Sequence, residues 1–173
     1  MPIKFWNDQN DKKYKAAYFE KYNNVWHHGD FAKITNKGGF IIFGRSDTTL
    51  NPGGVRMGTA EIYNVVEKFS EVQESIVIGQ TWNNDIRIIL FVVLNRGYKL
   101  NDDIKKKLKR AIKIEASPRH VPSKIISISE IPKTKNGKLV ELAVKQTVEG
   151  EIIKNLEALA NPDSLKQFAN IKE

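Results

Sequence analysis

The sequence predicts an α+β fold: a small, mainly antiparallel sheet with helices packed on it and a β-hairpin ahead of it. Three observations carry that expectation. From Thr59 onward, Ile62, Val65, Val66 and Phe69 recur at helical spacing. Ile86 to Leu94 is a nearly unbroken apolar run, far shorter than the roughly 20 residues of a membrane-spanning helix, and reads as a buried strand. Around these two segments, short β-prone runs alternate with helix-period stretches. The 173 residues suffice for a real core, and 40% hydrophobic with 28% charged residues is the composition of a globular chain.

In chain order, Tyr14, Ala17, Tyr18, Tyr22 and Val25 form a first amphipathic stretch that needs a surface to pack on. Phe31 to Thr35 and Phe40 to Phe43, separated by Asn36-Lys37-Gly38-Gly39, predict a hairpin. Gly44 to Gly58 is polar and glycine-rich, with Pro52 in its middle, as expected where a chain bends between units. Thr59 is placed as the cap of the helix that follows. Ser75 to Gln80 and Ile86 to Leu94 are expected as antiparallel neighbours, because Trp82-Asn83-Asn84-Asp85 is short and turn-rich. Asn101 caps a second helix to about Ile114, with Ile104, Leu108, Ala111 and Ile112 inward and its lysines largely outward. Pro118 and Pro122 end it. Lys124 to Ser129 follows as a strand, Pro132 to Lys138 as an exposed turn and Val140 to Val148 as a helix; a last short helix starts near Pro162.

The net charge of +8 is localised. Between Lys99 and Lys145 there are 13 basic and five acidic residues, while the remainder holds 15 of each. Such a surface attracts phosphates, those of nucleic acid, lipid or a phosphorylated cofactor alike. No apolar segment follows the charges of residues 1–11, so no secretory signal is visible and the cytoplasm is the expected location, without a membrane role. The absence of cysteine excludes disulfides and thiolate metal sites.

Three segments combine glycine with charge. In Trp26-His27-His28-Gly29-Asp30 a metal site is weighed and set aside, since adjacent residues point in different directions and no third ligand is evident. Asp30 could instead accept hydrogen bonds from ribose hydroxyls or form a turn. In Gly44 to Arg56, Arg45 and Arg56 flank flexible backbone; guanidinium groups suit phosphate oxygens, and glycines permit close approach, though a polar loop needs neither. In Ile131 to Lys138 the Gly-Lys pair is not a phosphate loop, because no glycine lies five residues before Gly137 and Leu139 stands at the Ser/Thr position. What remains is a lysine on a basic turn, which serves as a point charge for a developing anion or as an ordinary solvated cation.

Taken together and in order, these segments resemble the C-terminal part of the adenylate-forming acyl-CoA synthetase superfamily. The resemblance lies in His28-Gly29-Asp30, in Gly44 to Asp47 continuing through Gly54-Val55-Arg56 to Ala60-Glu61-Ile62, and in Pro132 to Lys138. Leu50 to Arg56, Ser117 to Pro122, Val140 to Lys145 and Ala158 to Pro162 are similar, more narrowly, to the branch that activates acetoacetate. The fold so implied is the small C-terminal domain of that superfamily, with the hairpin near a hinge.

The resemblance implies a ligase working in two steps: acetoacetate and ATP give an acyl-adenylate and pyrophosphate, and the CoA thiol then displaces AMP. It would place Asp30 on the ribose hydroxyls and Arg45 and Arg56 on the nucleotide. Asp47 would be the hinge, Lys138 the catalytic lysine of adenylation, and Gly54 part of the pantetheine tunnel. Lys109 and Arg110 would contact the CoA phosphates. Mg²⁺ would arrive with ATP, with no protein metal ligands in this chain. Complete members are several times longer. Residues 1–44 are therefore expected to be a remnant of the large N-terminal domain, 45–150 the mobile domain and 151–173 a tail, and the chain alone is expected to be inactive. The large domain would either come from a separate chain or be lost, and the aromatic face of Tyr14, Tyr18 and Tyr22 would favour self-association through residues 1–44. The alternative is a noncatalytic basic module binding nucleic acid or another phosphorylated ligand through Lys99 to Lys113.

Overall fold

Asp8 accepts hydrogen bonds from the backbone N–H groups of Lys13 and Tyr14, both at 2.8 Å, and so satisfies donors at the start of helix α1 (Lys12–Tyr18). Phe5 packs edge-on against Tyr14 and Tyr18 of that helix, with centroids 5.7 and 5.8 Å apart. The helix thus finds part of its apolar cover within its own segment, whereas Tyr22 stays exposed. The computed structural model describes residues 2–153, 155–169 and 171. These fall into two units, Met1–Asp30 and Phe31–Glu173.

The expected hairpin is formed by strands β1 (Asp30–Ile34), whose first residue is the last of the first unit, and β2 (Phe40–Arg45). Helix α2 (Thr59–Val66) follows the glycine-rich segment. Its N-cap is Gly58, not Thr59, which is buried as the first helical residue. The Glu61 carboxylate reaches back to accept the Gly58 N–H at 3.2 Å, half of a capping box. Strands β3 (Val72–Trp82) and β4 (Asp85–Leu94) pair antiparallel around Asn83-Asn84, whose φ values of 49° and 61° are those of a type I′ turn.

Helix α3 (Asp102–Glu115) starts at Asn101, whose side chain accepts the Ile104 N–H at 2.9 Å. It carries the chain back across the sheet, so strand β5 (Lys124–Ser127) joins β4 in parallel, with Leu90 opposite Ile125. The three-stranded sheet is therefore mixed, in the order β3-β4-β5. Helix α4 (Glu141–Glu149) and a 3₁₀ segment (Pro162–Phe168) complete the unit.

Strand β4 is apolar without alternation because both faces are covered. Val77, Ile88, Leu90 and Val92 pack with Ile62, Val66, Leu108 and Ile112 of α2 and α3. Ile76, Ile78, Ile89 and Phe91 face the other way, toward Ile131, Val144, Leu159 and Phe168. Leu159, Leu165 and Phe168, from the residues expected to be a tail, are thus buried on this second face, and Phe168 meets Phe91 edge-on at 4.8 Å.

Candidate functional site

The buried pair Ile131-Pro132 delivers the chain to a tight exposed turn. Lys133 pairs with Leu139 across it as an isolated antiparallel bridge. Thr134 organises the tip: its N–H donates to the Lys138 carbonyl at 2.9 Å, its carbonyl accepts the Gly137 N–H at 2.8 Å, and its hydroxyl accepts the Lys138 N–H at 3.1 Å. Gly137 supplies the positive φ of 75° that the reversal needs. Lys138 is exposed at the end of this turn, its backbone fixed on both sides while its ammonium reaches solvent.

The polar, glycine-rich segment that begins at Gly44 lies beside it. Strand β2 ends at Arg45, whose Nε stands 3.5 Å from Asp47 Oδ1, with both side chains about half exposed. The Thr49 hydroxyl donates to the Arg45 carbonyl at 2.9 Å. Leu50 and Met57 then pair, N–H to carbonyl in both directions at 3.0 and 2.8 Å, so the residues between them bulge outward with Arg56 exposed. Asp85 Oδ1 accepts N–H groups from Gly53 and Ile86 at 2.8 and 2.7 Å, and these two bonds hold its carboxyl below the usual aspartate range. Gly54 has φ +78° and only open space where a side chain would begin. Within this chain, it is the left-handed backbone that requires glycine there, not a facing wall.

Arg45, Asp47 and Thr48 from the end of β2 and the segment after it, Thr134 and Leu139 from the lysine turn, and Glu141 from α4 line one cleft of ≈ 430 Å³. Tyr63 holds one of the lining residues, Glu141. The phenol donates to Glu141 Oε1 at 2.5 Å and accepts the Val77 N–H at 3.1 Å, joining α2, β3 and α4. Burial, then the Glu141 charge and hydrogen bond, push this phenol well above the ordinary tyrosine value. A second buried link, His120, sits between the Ser117 hydroxyl at 2.8 Å and Glu61 Oε2 at 3.2 Å. Neither link is announced by local spacing, since the partners lie 78 and 59 residues apart.

Of the residues singled out from sequence, the structure gathers Arg45 and Asp47 against the stem of the Lys138 turn. Lys109 and Arg110 lie apart from that cluster. Lys109 Nζ donates to the Ser123 carbonyl at 3.2 Å and Arg110 is exposed, both on α3, which packs on the sheet face opposite α4. Asp30 pairs with His28 at the end of the first unit. Among the described residues no group of three His, Asp or Glu side chains could hold a metal ion, and no helix is long and apolar enough to cross a membrane.

Residues 61–138 match the AMP-binding enzyme C-terminal domain. The whole chain is 57% identical to acetoacetyl-coenzyme A synthetase of Rhizobium meliloti (strain 1021) and spans 27% of its length. It is 47% identical to acetoacetyl-CoA synthetase of Rattus norvegicus, spanning 26%. A solved structure of acetoacetyl-CoA synthetase from Streptomyces lividans superposes on 99% of this chain with a TM-score of 0.90 and 40% identity, the chain covering 26% of it. In fold, and over residues 61–138 in sequence, the chain matches the C-terminal domain of the AMP-binding, adenylate-forming enzymes. Within that family the chain corresponds from end to end to the C-terminal part of acetoacetyl-CoA synthetases. The nucleic-acid alternative finds no support in these matches.

Proposed function

We propose that this chain is the C-terminal domain of an acetoacetate–CoA ligase, acting with a large domain of the kind its relatives carry. In the first step an acetoacetate carboxylate oxygen attacks the α-phosphorus of ATP and pyrophosphate leaves. In the second the CoA sulfur attacks the adenylate carbonyl and AMP leaves. Lys138 neutralises charge as the carboxylate meets the α-phosphate, and a lysine suits this as a compact point charge on a long stem. Asp47, beside the glycine-rich bend, is the residue about which the domain swings between steps. Asp30 serves the ribose, Arg45 and Arg56 the nucleotide, Gly54 the pantetheine path, and Lys109 and Arg110 the CoA phosphates. Mg²⁺ enters as a partner of ATP, and the described residues supply no set of ligands for it. The cytoplasm, where ATP and CoA are at hand, is the proposed location.

The observation that carries this reading is the exposed Lys138 on a turn whose backbone is fixed by Thr134, in a chain 57% identical end to end to an acetoacetyl-coenzyme A synthetase. It is tested by grafting the chain in place of the matching segment of the Rhizobium meliloti enzyme and following each half-reaction. Lys138→Ala is expected to slow pyrophosphate release about a hundredfold or more. Thioester formation from supplied acetoacetyl-adenylate should stay within about twofold, since that step does not use this charge. Equal losses in both steps would overturn the assignment.

A further inference from the structure

The turn that carries Lys138 does not stand on its own hydrogen bonds. Its stem is gripped from outside by residues 158–161. The Lys135 N–H donates to the Ala158 carbonyl at 3.1 Å and the Ala160 N–H to the Lys133 carbonyl at 2.9 Å, so Thr134 and Leu159 pair as an added antiparallel bridge. Asn161 closes the grip with its side chain. Its Oδ1 accepts the Lys133 N–H at 2.9 Å, and its Nδ2 donates to the Ile131 carbonyl at 3.1 Å and to Glu130 Oε2 at 2.8 Å. One amide thus ties the residues entering the turn, which would otherwise have free polar groups at a point where the chain leaves the core.

The grip is anchored at both ends. Leu159, Leu165 and Phe168 are buried in the core on the α4 side of the sheet. The Asn161 carbonyl accepts from Ser164, through its N–H at 3.1 Å and its hydroxyl at 2.6 Å, which holds the asparagine at the head of the 3₁₀ segment. On the other side, Lys133 Nζ is paired with Glu74 of β3. Lys133 is thereby fixed through its N–H, its carbonyl and its ammonium, while Lys138, five positions on, keeps its side chain in solvent.

We infer that Asn161 is a positioning residue for Lys138: it sets the direction in which the lysine turn leaves the domain, and so where the ammonium arrives when the nucleotide is presented. This rests on the adenylation role proposed above for Lys138. A displacement of about 1 Å in a reacting group costs on the order of a hundredfold in rate, and a charge carried on a turn inherits every error of its stem. Thioester formation does not call on Lys138 and is indifferent to that direction.

The test uses the same graft into the Rhizobium meliloti enzyme, with both half-reactions measured for four variants. Asn161→Ala is expected to lower the rate constant of pyrophosphate release by about tenfold to a hundredfold. Its thioester step should stay within about twofold. Asn161→Asp retains the acceptor for the Lys133 N–H but loses the donor to Ile131 and sets a carboxylate against Glu130; its adenylation rate should fall between those of the parent and the alanine variant. If Asn161→Ala does not fold, this second variant is read in the same two assays and must show the same split. Gln167→Ala controls for loosened packing of the segment: Gln167 holds Ser129 at 2.7 and 2.9 Å and donates to the Glu130 and Ser164 carbonyls at 3.4 and 3.2 Å, but bonds no residue of the turn itself. It should leave the ratio of the two steps unchanged. Lys138→Ala separates the two claims. If it abolishes adenylation while Asn161→Ala spares it, the positioning role is wrong and the lysine assignment stands. If Lys138→Ala itself spares adenylation, the underlying assignment fails. Equal losses in both steps for the Asn161 variants would reduce the residue to a structural support and overturn the inference.

Discussion

Tyr63 and Glu141 make a contact across 78 positions of chain that ties α4 to α2 and holds one residue of the cleft lining in place. Replacing Tyr63 with phenylalanine keeps the ring but strips the Glu141 carboxylate of a donor and the Val77 N–H of its acceptor. Such orphaned groups cost about 1–3 kcal/mol, and urea denaturation of Tyr63→Phe should show a loss of that order. The pH dependence follows from the direction in which the phenol is pushed. Its folded value lies above its unfolded one, so the stabilisation is complete below the ordinary tyrosine pKa of about 10. It is lost as pH rises through the raised folded value, because the unfolded chain gives up the proton first. Melting curves between neutral and strongly alkaline pH should therefore fall less steeply for Tyr63→Phe than for the parent. At this scale the sequence is legible only where partners are close in it. Asn101 could be named as a cap because its target N–H is three residues away. Tyr63, by contrast, looks like one more residue on an amphipathic helix, and nothing local marks Glu141 as anything but an exposed charge. Gly54 stands in the left-handed backbone region that favours glycine, and within this chain nothing crowds the place of a side chain there.

Where elements meet, glycine matters for a different reason. A Cβ at Gly58 would lie 2.2 Å from the Phe43 carbonyl oxygen and 2.4 Å from the Phe43 Cβ, although its φ of −85° is open to any residue. Strand β2 and the start of α2 therefore approach too closely for any side chain between them. Gly58→Ala must push the hairpin away from the helix, and overpacking of this kind costs about 1–3 kcal/mol. The expected signature is a lower melting temperature with faster hydrogen exchange along residues 40–45, while amides of β4 keep their protection. Retained protection throughout the hairpin would show that the contact gives way without harm. Helices and hairpin were readable because hydrophobic period and turn residues are local signals. The parallel seat of β5 was not, since a short strand carries no mark of its neighbour's direction; it is the passage of α3 across the sheet that sets it. The cap of α2 was misplaced by one residue for a similar reason. Thr59 has the right chemistry for a cap, yet its side chain is wanted in the core, and Glu61 satisfies the Gly58 N–H instead.

Taken whole, the second unit is a sheet with two filled faces, and the segment from 156 to 168 belongs to that core. Phe168 is fully buried against Phe91, so Phe168→Ala should cost about 3–5 kcal/mol in chemical denaturation, as expected for an aromatic lost from a packed interior. An unchanged midpoint would return these residues to the standing of an appendage. Sequence reading placed them as a tail because their apolar positions are few and irregular, and a 3₁₀ segment has no amphipathic period to betray it. The lysine turn could be recognised from its motif, but not the strand-like pairing with residues 158–160 that completes it. That pairing has a consequence for synthesis. A ribosome makes residues 133–139 before the residues that hold them, and at about 5–20 residues per second the partners follow after a delay on the order of seconds. The turn bearing Lys138 therefore emerges unfinished, and its backbone pairing is completed only once residues 158–161 have been made. A nascent chain released early at this point would carry the lysine on a turn whose stem lacks the bonds from Ala158, Ala160 and Asn161.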